Sequence, residues 1–99
     1  MVSTLIKAFT AATATTNTPT DLNDIDYLNL CMYNTSSTNR PSDCSYGLLL
    51  VISTDLPKST GTGWVWQFAT STGDNSIRVR RRINNREWTD WQKFTPTAI

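Results

Sequence analysis

The side chains best suited to chemistry gather near the carboxyl end of this 99-residue chain: Arg78, Arg80, Arg81 and Arg82, then Glu87-Trp88-Thr89-Asp90-Trp91. Guanidinium groups beside indoles combine hydrogen-bond donors with rigid apolar area, the equipment of a recognition surface. Paired carboxylates are the other chemistry to weigh, because Asp24 with Asp26 or Glu87 with Asp90 could cut a glycosidic bond. Capping in a turn-rich stretch accounts for Asp24 and Asp26, and neighbouring arginines account for Glu87 and Asp90 as ion-pair partners. The chain has no histidine, so neither a Ser-His-Asp arrangement nor a Cys-His pair can be assembled within it. Cys31 and Cys44 offer no Cys-x-x-Cys spacing for zinc, and free, partly buried thiols are expected, with a bridge closing the intervening loop as the alternative. The expectation is a non-catalytic protein without cofactor or metal.

Composition narrows the class. At 38% hydrophobic and 17% charged residues the chain has the size of one domain with one core. Its polarity comes from Thr, Ser and Asn rather than from Lys and Glu, which suits β-structure with an exposed surface. A net charge of +1 supplies no long-range field for nucleic acid or an anionic membrane. No run approaches the roughly twenty apolar residues of a membrane span. Residues 1–9 imitate a secretory leader, but Lys7 interrupts the apolar run, so no cleaved leader is expected.

The elements that must position these residues are strands. Residues 1–20 form an arm whose sizeable apolar side chains include Leu5, Ile6 and Phe9, expected to pack on a partner chain or a larger assembly. Residues 21–99 form the β domain. Residues 21–26 read as a turn or a short helical start, and 27–33 as a first strand. Residues 34–45, with Arg40-Pro41, make a long polar loop of the kind that carries contacts. Gly47-Leu48-Leu49-Leu50-Val51-Ile52 is a continuous apolar run and reads as a central strand covered on both sides. After a connection over 53–63, expected with the 34–45 loop to supply ligand contacts, Trp64, Trp66 and Phe68 share one strand face, with Val65, Gln67 and Ala69 opposite. Residues 71–75 are a hairpin turn by composition. On the next strand Arg78, Arg80 and Arg82 share a face, expected to be solvated, with a glycan- or phosphate-contacting stripe as the alternative and nucleic acid as the least favoured reading. Asn84-Asn85-Arg86 is a turn signal, and 88–94 is expected to close the sheet.

Trp66 and Phe68 are the expected core aromatics. Trp88 and Trp91, three residues apart, point to opposite faces of an undistorted strand unless a β-bulge reconciles them. Candidate ligand contacts are therefore Tyr33, Arg40, Tyr46, Arg78, Arg80, Arg82, Trp88 and Trp91.

The order Asp21-Leu22-Asn23, a strand ending at Tyr33, the Pro41 loop, Gly47-Leu48-Leu49-Leu50-Val51, Val65-Trp66-Gln67-Phe68, the arginine strand and Trp88-Thr89-Asp90-Trp91-Gln92-Lys93 resembles the knob domain of pyocin and bacteriophage tail fibres. The resemblance spans residues 21–94, and the arginine strand followed by Trp-x-x-Trp is its most specific part. It implies a small antiparallel β-sheet or sandwich domain in the virion, often within a homotrimer, with a role in host attachment. A host-cell surface glycan is then the expected ligand, and other virion proteins the expected partners of the arm. The competing class is a capsid or tail component with no host ligand.

Overall fold

The computed structural model describes residues 18–56 and 58–99, so Leu5, Ile6 and Phe9 lie outside the described residues. The protein is all-β. Strands β1 (Asn29–Tyr33), β2 (Gly47–Ser53), β3 (Val65–Ser71), β4 (Asp74–Arg82) and β5 (Gln92–Phe94) form one antiparallel sheet in sequence order. Thr72 and Gly73 make the tight β3–β4 turn, and a register shift between Ala69 and Ser71 accompanies it. A short 3-10 helix, η1 (Leu22–Asp24), precedes the sheet, capped by Asp21, whose carboxylate accepts from the Asn23 amide at 2.9 Å.

Pairing sorts the strand residues into two faces. Cys31 lies opposite Leu49, Leu49 opposite Ala69, and Ala69 opposite Arg78. Val51, Gln67 and Arg80 form the next row. This face is the inner one: Leu49, Val51, Val65 and Ala69 are buried, and Leu22, Tyr33 and Cys44 complete the core cluster. Its cover is η1, the loop over 34–46 and the segment over 83–91, rather than a second sheet. The other face carries the row Leu30, Leu50, Phe68 and Val79, flanked by Met32 with Leu48, Ile52 with Trp66, and Ile77 with Phe94. Among the described residues nothing lies over it.

Four expectations are corrected by this arrangement. β2, expected to be covered on both sides, is covered on one only, with Leu48 and Ile52 exposed. Trp66 and Phe68 are half-buried on the open face, while their neighbours Val65, Gln67 and Ala69 fill the core. The arginine face of β4 is inside, not solvated. Only residues 92–94 of the closing segment are strand, so Trp88 and Trp91 sit on an irregular stretch and need no bulge to share one side. Asn84 adopts a φ of 59°, the left-handed turn geometry expected of it.

Gly47 is required by a close approach. Tyr33, directly opposite, reaches across it to donate its hydroxyl to the Thr70 carbonyl. A Cβ at position 47 would lie 2.6 Å from that hydroxyl and closer still to the Thr70 carbonyl oxygen. Gly47→Ala is expected to destabilise the fold by about 1 to 3 kcal/mol through overpacking, read as a lower urea midpoint at unchanged slope.

Candidate functional site

Three arginines on alternate positions of β4 each meet a different set of partners on the inner face. Arg78, 2% exposed, pairs with Asp74 at 2.6 Å and Asp43 at 2.8 Å, and Lys93 joins Asp43 at 3.1 Å. The Arg78 hydrogen bonds hold the Asp43 carboxyl well below the usual range and bring Asp74 down to about 2, while the same contacts raise Arg78. Arg82 pairs with Asp26 at 2.8 Å.

Arg80 occupies the centre. Its Nε donates to Gln67 Oε1 at 2.7 Å, and Gln67 Nε2 donates to the carbonyls of Leu22 at 2.7 Å and Ile25 at 2.9 Å. The guanidinium carbon lies 4.2 Å from the Trp88 ring centre and 4.7 Å from that of Trp91, so two indoles share one cation. Burial lowers Arg80 to about 10, with the Asp21 charge acting in the opposite direction, and the group remains a cation at neutral pH. Thr89 holds the tryptophan segment against β4: its amide donates to the Arg81 carbonyl at 2.9 Å, and its hydroxyl accepts from the Arg81 amide at 3.0 Å.

The indoles border a cleft of about 470 Å³. Trp91 Nε1 donates to the Asn39 carbonyl at 3.0 Å, bringing the loop over 34–46 to the cleft. Asn39 has a φ of 61° and donates from Nδ2 to Asp21 at 2.8 Å, so its left-handed backbone is fixed from the η1 side. Arg40 folds back on its own loop, donating to the Cys44 carbonyl at 2.8 Å and the Ser37 carbonyl at 2.9 Å. Asn23 Oδ1 and Arg80 Nη2 lie buried in the wall without a protein partner, one an acceptor and one a donor.

Of the expected contacts, the cleft brings together Arg40, Arg80, Trp88 and Trp91. Tyr33 is 1% exposed in the core, Arg78 and Arg82 are engaged with carboxylates, and exposed Tyr46 stands apart from the cleft. The loop over 53–63 contributes nothing to the lining; Asp55, within it, is occupied by the Thr60 amide and hydroxyl at 2.9 Å. Asn23, Asn39 and Thr89 were not anticipated as lining residues. The signal for Asn39 was available, since asparagine beside Arg40-Pro41 is a residue that tolerates left-handed backbone.

The groups that could do covalent chemistry are placed otherwise. Asp26 is bound to Arg82, and Glu87 and Asp90 are exposed at the cleft rather than enclosed in an apolar pocket. Both cysteines are free. Burial pushes the Cys31 thiol up to about 11 and raises Cys44 too, which keeps both in the unreactive thiol form. Among the described residues no group of acids and cysteines could hold a metal ion. No known protein family, curated protein or solved structure matches this chain.

Two outcomes follow from the network. Gln67→Leu removes the acceptor of buried Arg80 Nε and the donor to two η1 carbonyls, and a loss of about 3 kcal/mol is expected in urea unfolding. The carboxylates of Asp43 and Asp74 are stronger acids folded than unfolded, so their stabilisation is complete above about pH 5 and lost progressively as pH falls toward 2. Urea midpoints measured across that window should fall for the natural chain. The variant Asp43→Asn/Asp74→Asn, which leaves Arg78 buried without a counter-charge, should be weakened already at pH 7 by about 3 to 5 kcal/mol and respond less to acid.

Proposed function

We propose that this protein is a non-catalytic attachment module of a phage or bacteriocin particle, a fibre knob that holds a hydroxyl-rich host-surface polymer in the tryptophan-arginine cleft. The observation that carries this reading is the cleft itself. Two indoles held by a buried cation stand beside amide, hydroxyl, guanidinium and carboxylate groups, the mixture that recognises a sugar by stacking and hydrogen bonding. Asn23 and Arg80, which line the cleft, also leave one buried acceptor and one buried donor unpaired. Affinity at one cleft is weak, and repetition in a homotrimer or around a virion supplies avidity.

The structural class keeps one observation in its favour: the open apolar sheet face serves assembly whether or not a host ligand exists. Binding of labelled full-length protein to host cells and to purified host-surface polysaccharide separates the two. Attachment predicts saturable labelling that competes with particle adsorption. It also predicts at least a tenfold loss in Trp91→Ala and in the rim variant Asp90→Ala, with sheet content by circular dichroism retained. Binding only to particles that lack the protein would establish the structural class instead. Release of reducing sugar from the polysaccharide, abolished by Glu87→Gln, would establish an enzyme; none is expected.

A further inference from the structure

We infer that the open face of the sheet is where copies of this chain pack on one another. An antiparallel sheet with one solvated face ordinarily turns polar side chains outward. Here the outward face is the more apolar of the two, with Met32 56%, Leu48 49% and Phe94 59% exposed, and Ile52, Trp64 and Ile77 also in solvent. Together with the half-buried row through Leu50 and Phe68, these side chains offer several hundred Å² of apolar surface, at the upper end of a typical monomer's largest patch and approaching the roughly 800 Å² that each partner gives a standard stable interface.

The occupant is set by charge and by supply. Arg81 is the one charged residue that the described strands place on this face, so it makes no demand for a charged partner and repels a copy of itself little. Apart from Met1, residues 1–17 bring only Val2, Leu5, Ile6 and Phe9 as sizeable apolar side chains, fewer than the face presents. A second copy supplies a surface of matching area and character. Two copies face to face make a two-layer sandwich about 10 Å between sheets, and three would close a prism. Either arrangement covers the same residues, and the cleft stays on the outside.

Sedimentation of the full-length protein tests this independently of what the cleft binds. The expected mass is two or three times 11.1 kDa at micromolar concentration. Leu48→Lys/Ile77→Lys, at positions already exposed in one chain, should weaken association at least a hundredfold while sheet content by circular dichroism and single-site polysaccharide binding persist. Phe94→Lys, at the edge strand, should weaken it about tenfold and serves as the readout if the double variant does not fold. A natural chain that sediments as a monomer at all concentrations tested, or an oligomer unchanged by the face variants, would overturn the inference.

Discussion

The contact on which the arrangement depends is the pairing of Gln67 with Arg80 beneath the two indoles. Both side chains are buried, and neither would be tolerated inside without partners. Gln67 spends its donor on the η1 carbonyls and its acceptor on Arg80, while Arg80 places its charge between Trp88 and Trp91. One pair of neighbouring strand residues thereby docks the amino-terminal turn on one side and the carboxyl-terminal segment on the other. Removing either leaves a buried donor or acceptor open, which costs more than the bond itself contributes. The cleft is a consequence, because its walls are the two segments that this pair brings down onto the sheet.

The flanking arginines extend the same logic along β4. Arg78 gathers Asp43 and Asp74, tying the loop over 34–46 to the β3–β4 turn, and Arg82 ties β4 to Asp26 just after η1. Each buried cation therefore fixes one piece of irregular chain. A small sheet whose described cover is one 3-10 turn and loops needs this, since those segments carry too few apolar side chains to hold themselves down.

Strand positions, the β3–β4 turn, the Asn84 turn and the short helical start were legible in residue order, because alternation and turn chemistry are local properties. The choice of inner face was not. Periodicity separates Trp64, Trp66 and Phe68 from Val65, Gln67 and Ala69 without ambiguity, yet it does not say which set meets the rest of its own chain. Weighing by hydrophobicity assigns the aromatics to the core. The fold does the reverse, because the polar set has complementary partners within the chain: carboxylates at positions 26, 43 and 74, two backbone carbonyls, and two indoles for one guanidinium. Four of the anticipated contacts meet at the cleft because they cluster in sequence around 78–91 or on the loop that Trp91 engages. Tyr33 was misjudged because its role depends on a glycine directly across the sheet, a relation that exists only once the register is set.

The inverted faces also bear on how attachment and assembly can coexist. A cleft built on the inner face, under its own loops, is lined by none of the side chains that the outer face presents. On the proposed reading, packing of copies through the apolar face would leave each cleft pointing away from the common interface, available to a repeating polymer at several points at once. Weak single-site binding is then sufficient, because the second contact occurs at the effective concentration set by the rigid assembly rather than by the free ligand. The buried arginine network suits that proposed geometry: it fixes the cleft relative to the sheet, so that copies related by symmetry would present their clefts at a constant spacing.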